Sequence, residues 1–247
     1  MGFYLALGTR CLVRRLTKPM PVHKHLFLWA HPRSISTAME VYFRARGDYQ
    51  VIHEPFGDTY WKGTAPEPVY QEILEQSKSK NKPIFIKDIA HHVPKSILTK
   101  PELLKDFAHA IVLRSPLAAF HSHLKVNPEV KPHEFGFVSL RKVFFQLTQA
   151  TGIQPSILLA DNLVRKPEKT IQAFCESLEI PHIKEALAWQ PEQQSDWRAG
   201  EKWQVRAGNS SGFERNIKVD LPPLPSELEG IYQEHKACYD ELVALTK

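Results

Sequence analysis

The segment Ala30-His-Pro-Arg-Ser-Ile-Ser-Thr37 joins an apolar run to a helical one through a turn carrying hydroxyl side chains and one cation. Free backbone N–H groups at a helix start, the helix dipole, the Ser36 and Thr37 hydroxyls and the Arg33 guanidinium would together cradle an anion. This is not a Walker A loop, because both glycines and the lysine of G-x-x-x-x-G-K-[ST] are missing. The same residues also fit an ordinary helix capped by Ser34 or Ser36. Further on, Arg114 ends a second apolar run and Ser122 follows eight residues later, about two helical turns. That spacing lets a guanidinium grip a phosphate bidentately while the hydroxyl meets the same group. A strand-end arginine and a surface serine are the plain alternative.

Other polar residues fall just beyond apolar runs: His53-Glu54-Pro55, Lys87-Asp88, His91-His92 and Asp161-Asn162. Pro55 is expected to hold Glu54 in an extended backbone. Lys87 reads either as a cation aimed at a ligand or as a solvated strand-end lysine. For any one of the twelve histidines, a hydrogen-bonded loop position is the simpler reading. His121 and His123 stand on the helix after Arg114, and no carboxylate–histidine set has the spacing of a metal site.

Short apolar runs followed by turns and then by helical periodicity are the signature of an α/β chain with a mostly parallel sheet. Strands are predicted at Leu26–Ala30, Gln50–His53, Pro83–Lys87, His109–Leu113 and Ser156–Ala160. Helices are predicted at Ser36–Arg46, Glu67–Ser77, Leu117–Lys125, Phe137–Thr151, Pro167–Leu178 and Ser226–Leu245. Trp189 to Pro225, with three glycines and several prolines, shows neither period and reads as a long ordered loop or lid. In such a sheet, ligands sit beyond the carboxyl ends of the strands, where these polar residues fall.

The 247 residues, 43% of them hydrophobic, suffice for one substantial core. A single domain is expected over 24–247, preceded by an arm at 1–23. The net charge of +5 suits an anionic ligand but is too mild for a nucleic-acid binder. Arg10, Arg14, Arg15, Lys18, Lys24 and Arg33 all precede the first acid, Glu40. A flexible tail, or a stretch upstream of a start at Met20, accounts for this better than a transit-like segment or a membrane-surface arm. No run approaches the ~20 apolar residues of a membrane span. Cys11, Cys175 and Cys238 are odd in number and widely spaced, which argues against a disulfide framework or a thiolate zinc site and suits a reducing cytosol.

The chain resembles the sulfotransferases that use 3′-phosphoadenosine 5′-phosphosulfate (PAPS). The family has a T-Y-P-K-S-G-T-T loop for the 5′-phosphosulfate side, an Arg and a Ser eight residues apart for the 3′-phosphate, and a late R-K-G segment that closes over the nucleotide. Here these resemble Ala30 to Thr37, Arg114 with Ser122, and Arg206-Ala207-Gly208. Leu159 to Thr170, leading into Phe174 to Leu178, is similar to the family's strand, acidic turn, Lys-Pro and helix. The likeness spans roughly Leu26 to Phe213. The resemblance implies a three-layer α/β/α, P-loop-NTPase-like sulfotransferase fold and a nucleotide site formed by Arg33, Ser34, Ile35, Ser36, Thr37, Arg114, Ser122, Arg206, Ala207 and Gly208. It implies sulfuryl transfer from PAPS, without a metal, to a hydroxyl or amine of a small-molecule acceptor, leaving adenosine 3′,5′-bisphosphate.

Arg33 stands for the family's loop lysine, Ala207 for the middle lysine, and Ile35 for the glycine, so a left-handed residue at 35 is not expected. A His-Pro-Arg-Ser loop is closer to a bacterial-type branch. Within the family, a glutamate after the second strand or a histidine after the third serves as base, which here points to Glu54 or to His91 or His92. Arg33 and Lys87 are the candidates to stabilise the leaving phosphate oxygen. Two alternatives are a nucleotide or small-molecule kinase with Asp88 or Asp161 as magnesium ligand, and a non-catalytic binder of adenosine 3′,5′-bisphosphate.

Overall fold

The computed structural model describes residues 25–78, 82–197, 201–213 and 220–246. The basic stretch 1–23, with Met20 and Cys11, lies outside the described residues, as do parts of the expected lid at 198–200 and 214–219.

Five strands, β1 (His25–Ala30), β2 (Gln50–His53), β3 (Ile84–Ile89), β4 (Phe107–Leu113) and β5 (Ser156–Leu159), form one sheet in the order β2-β3-β1-β4-β5. Every pairing is parallel. Parallel neighbours need crossovers, and helices supply them. They are α1 (Ser36–Arg46), α2 (Gly57–Lys62), α3 (Glu67–Ser77), α4 (Lys95–Leu98), α5 (Pro101–Asp106), α6 (Pro116–Leu124) and α7 (Phe137–Thr151). After β5 come α8 (Ala160–Arg165), α9 (Pro167–Ser177), α10 (Glu201–Gly208) and α11 (Glu229–Ala244). No helix among the described residues is long and apolar enough to cross a membrane.

Strand β1 is central and buried on both faces, so its apolar residues alternate between two cores. Leu26, Leu28 and Ala30 pack with Met39 and Phe43 of α1 and Phe174 of α9. Phe27 and Trp29 pack with Tyr70 of α3 and Leu140 and Phe144 of α7. The two cores make the three layers. Because β3 and β4 flank β1, the strand order reverses there, and a crevice opens beyond the carboxyl ends.

Periodicity located these strands and the long helices to within a few residues but missed the short helices α2, α4, α5 and α8, the last beginning at Ala160 where strand was expected, and the structure departs from expectation elsewhere as well. Trp189 to Pro225 is not one long loop, since α10 lies within it; a two-turn helix is too short to show a period. The last helix is interrupted, with a 3₁₀ turn at Ser226–Leu228 ahead of α11. The third strand runs past Lys87 to Ile89, which places that lysine inside the sheet. Glu54 is not extended, its φ being 36°, so that the chain turns sharply into α2.

Gly136 links the turn Pro132–Phe135 to α7 with φ 82°. A Cβ there would lie 2.7 Å from Pro32 Cδ and 3.1 Å from His31 Cβ, against the loop after β1. Gly136→Ala therefore combines left-handed strain with a clash and should cost about 1–3 kcal/mol in urea unfolding. A loss below about 0.5 kcal/mol, as at an unconstrained surface site, would refute that packing.

Candidate active site

All five strands send their following residues to the crevice, a cavity of 1720 Å³. Its first wall is the loop after β1. Arg33 has φ 64° and Ile35 has φ 71° with ψ 14°, against the expectation at 35. For a β-branched residue this costs on the order of 1–3 kcal/mol, held by the packing around it. Ile35 packs against the core of α1 and Phe43, which is that support. Left-handed residues alternating with an ordinary one gather successive N–H groups into a concavity suited to an anion. Ile35 is itself the N-cap of α1, with no side-chain capping bond, so neither Ser34 nor Ser36 is a cap. The Ser34 hydroxyl is buried with no partner among the described residues.

Arg33 Nε donates to Ser122 Oγ at 2.9 Å, and its Nη1 donates to the Trp203 carbonyl of α10 at 2.8 Å. Arg114 Nη1 donates to the Arg33 carbonyl at 3.0 Å. The Arg114 N–H donates to His31 Nε2 at 3.1 Å, which leaves His31 Nδ1 to donate to the Pro32 carbonyl at 2.9 Å. Burial pushes the His31 imidazole down to about 3, so it is neutral and can accept. Arg206 of α10 lines the same wall. Burial, then the charges of Arg114 and Arg206, lower Arg33 to about 10. Burial and Arg206 likewise lower Arg114, against Asp161, which raises it. The charged forms of Arg33 and Arg114 are thus disfavoured by neighbouring guanidiniums, and an anion of two or more charges would relieve that.

The second wall is built on a buried ammonium. Lys87 of β3 has no exposed side-chain surface, and its Nζ donates to Glu54 Oε1 at 2.5 Å. Glu40 of α1, equally buried, places Oε2 at 3.6 Å from the same nitrogen. That carboxylate also takes His53 Nδ1 at 2.6 Å, Arg44 Nη2 at 2.7 Å and Trp197 Nε1 at 2.9 Å. Burial alone would raise the carboxyl of Glu54, but Lys87, then His53 and His92, pull it below the ordinary range. For Glu40 the same contest, won by Lys87, His53 and Arg44, ends far below that range. Burial lowers Lys87, yet Glu54 and Glu40 raise it further, so it stays charged.

His91 and His92 line the cavity beyond β3. Burial, then His92, pushes His91 down to about 2, which fixes it as neutral. His92 is buried with Nδ1 3.3 Å from Asp88 Oδ1. Glu54, Asp88 and His92 bring ligand-type atoms within 4.8 Å of one another, a grouping the sequence spacing did not reveal because Glu54 follows β2 while the other two belong to β3 and the turn after it. Three of its four carboxylate oxygens are engaged: Asp88 Oδ2 takes the Phe56 N–H at 2.8 Å, Oδ1 takes the Ile89 N–H at 2.7 Å, and Glu54 Oε1 holds Lys87. With an ammonium in bonding contact, the trio is a hydrogen-bonded brace for the turn into α2 and does not suit a cation. Asp161 is also occupied, accepting the Ser115 N–H at 3.0 Å. His121 meets the Pro222 carbonyl at 2.8 Å, and His123 is buried and pushed to about 4 by burial and then Arg33.

Of the predicted residues, Arg33 to Thr37, Arg114, Ser122, Arg206, Ala207, Glu54, His91 and His92 line one cavity. Arg114 and Ser122 both reach Arg33. Gly208 does not line the cavity; it ends α10 under Gln193. Lys87 stands behind Glu54. Sequence reasoning missed His31, Glu40 and Trp203. Glu40 did carry a signal, being an acid among the apolar residues of α1 one turn before Phe43.

Comparison with known proteins is consistent with this geometry. A family model described as a sulfotransferase domain matches residues 24–226. Two Arabidopsis thaliana proteins, branched-chain-amino-acid aminotransferase-like proteins 2 and 1, are 32% identical over 175 residues and 30% identical over 187. The alignments cover 66% and 70% of this chain but 31% and 33% of theirs, so the chain spans about a third of these curated relatives. The solved sulfotransferase domain from the Synechococcus PCC 7002 olefin synthase has the same fold, with TM-score 0.52, 15% identity, and coverage of 89% of this chain and 97% of that one.

The buried pair sets a pH signature. A lowered Glu54 contributes stability fully above its unfolded value of 4.5, and a raised Lys87 contributes fully below its unfolded value of 10.5, so between them both contributions are present. Lys87→Met leaves two buried carboxylates without their ammonium and should cost about 3–5 kcal/mol at neutral pH. In the variant, burial dominates and Glu54 rises, so the loss should shrink toward pH ~4, where the carboxyl is protonated. A loss that does not change with pH by chemical denaturation would contradict the charge compensation.

Proposed function

The chain belongs to the sulfotransferase domain family, and from that membership we propose that it transfers a sulfuryl group from PAPS to a hydroxyl, or an amine, of a small-molecule acceptor. The observation that carries the choice of donor is the convergence of Arg33, Arg114 and Arg206 on one cavity wall, opposite Glu54. Three guanidiniums suit a nucleotide with phosphate groups at both its 3′ and 5′ ends. The loop of Arg33 to Thr37 would receive the phosphosulfate end, and Arg114 with Ser122 and Arg206 the 3′-phosphate.

In this reading, catalysis is positioning and electrostatics. The acceptor O–H gives its proton to a Glu54 oxygen. The freed oxygen pair forms the new S–O bond as the sulfur–oxygen bond to the 5′-phosphate breaks, its electrons passing to a phosphate oxygen beside Arg33. Lys87, behind Glu54, holds that carboxylate in place. Glu54 is favoured over His91, whose neutral ring lies far from its ordinary range, and over His92, which is engaged with Asp88. A magnesium-dependent kinase is disfavoured because Asp88 and Asp161 already accept backbone N–H groups. A binder without chemistry leaves the buried Lys87–Glu54 pair unexplained.

Calorimetry tests the donor. Adenosine 3′,5′-bisphosphate should bind without metal and more tightly than AMP, and Arg114→Ala should weaken it by about 1.5–3 kcal/mol. Equal affinity for the two nucleotides would overturn the assignment. For the base, Glu54→Gln should retain bisphosphate affinity while turnover, with an acceptor found by screening alcohols, phenols and amines, falls roughly 10²–10⁴-fold. Near-normal turnover would move the base to His91 or His92.

A further inference from the structure

Glu40 lies outside the cavity wall, has no exposed surface, and yet is ionised. Its two oxygens face different ways. Oε2 meets His53 at 2.6 Å and Lys87 at 3.6 Å, while Oε1 meets Arg44 at 2.7 Å and Trp197 Nε1 at 2.9 Å. Arg44 is in turn shared with Asp196 at 2.6 Å. We propose that Glu40 is a positioning residue for sulfuryl transfer, the reserve counterion that keeps the Lys87–Glu54 pair usable as a proton acceptor.

This role depends on Glu54 being the base. A carboxylate bonded to a lone ammonium is a weak base, because protonating it strands a positive charge in the interior. With Glu40 present, Lys87 lies between two carboxylates, and the three groups carry one net negative charge before proton transfer and none after. Without Glu40 they would carry none before and one positive charge after, with Lys87 fully buried. Repulsion from Glu40 also raises the proton affinity of Glu54. The other charged or titratable groups around the pair are His53 at the end of β2, Asp88 within β3, His92 after it, and Arg44 with Asp196 on the far side of Glu40. Asp88 is held by backbone N–H groups and Asp196 is paired with Arg44, so neither can take over from Glu40.

The test reads the proton affinity of Glu54 directly and needs no acceptor. In the full chain with carbon-labelled glutamate carboxyls, the Glu54 resonance is identified by its disappearance in Glu54→Gln and followed by pH titration. Glu40→Gln should move the Glu54 midpoint downward by roughly 1 pH unit. Trp197→Phe, which removes only the bond to the other oxygen, should leave it in place. Should Glu40→Gln fail to fold, Glu40→Asp, which draws the charge back from Lys87, should move the midpoint the same way by less. An unmoved or raised midpoint in a folded Glu40 variant overturns the proposal. The base reading fails separately, through normal turnover in Glu54→Gln whatever the titration shows. If both hold, turnover in Glu40→Gln at neutral pH falls by about threefold, following the weaker base.

Discussion

Strand β3 is buried at every one of its six positions, and the fourth is a lysine. An ammonium moved from water into such a place costs several kcal/mol unless anions and hydrogen bonds surround it. Much of the surrounding structure can be read as meeting that demand. Helix α1 turns an acid inward among its apolar residues, the turn after β2 takes a left-handed φ at Glu54 to bring a second carboxylate onto Lys87, and His53 closes the far side. The parallel register that sets Lys87 opposite both Leu28 and His53 fixes where the charge falls, one strand from the centre of the sheet and under the crevice. Glu40 carries the constraint outward through Trp197 and Arg44, so the segment leading to α10 is tied to the same carboxylate.

Opposite this wall stands one that gathers three guanidiniums. Arg114 and Arg206 lower the proton affinity of Arg33, and Arg206 lowers that of Arg114 while Asp161 raises it. Their arrangement is maintained by neutral contacts. His31, kept uncharged by burial and stacked 3.9 Å from Phe137, ties the loop after β1 to the end of β4, and the Arg33 carbonyl receives Arg114. Packing and hydrogen bonding therefore hold the cations in a place that their charges alone would not favour. An anion bound here would relieve the repulsion that Arg33 feels from Arg114 and Arg206.

The sheet was legible because buried parallel strands are written as short apolar runs and their crossovers as helical periods. Gln50–His53, Ser36–Arg46 and Phe137–Thr151 were located to the residue. The predicted residues that line the cavity were legible because polar side chains fall just beyond the strand ends, where an open parallel sheet receives its ligand. What stayed hidden depends on tertiary context. The left-handed Ile35 contradicts its own local preference and is held by packing, and the turn at Glu54 overrides the proline after it. The burial of Lys87 followed from two further residues of strand that a charged position seemed to end. His31 reaches Arg114, and Glu40 reaches His53, Lys87 and Trp197, partners more than ten residues away that no spacing rule reports. The trio of Glu54, Asp88 and His92 is assembled by β2 and β3 lying side by side, so its closeness is a property of the sheet.

The account stands or falls on the two walls serving one transfer. PAPS radiolabelled in its sulfuryl group, incubated with the protein and a panel of hydroxyl and amine compounds without added metal, tests this most directly. The label should leave the nucleotide for an acceptor in step with the release of adenosine 3′,5′-bisphosphate, and none should remain on the protein. Label that stays on PAPS across a broad panel while the nucleotide binds tightly, or label found covalently on the chain, would contradict it.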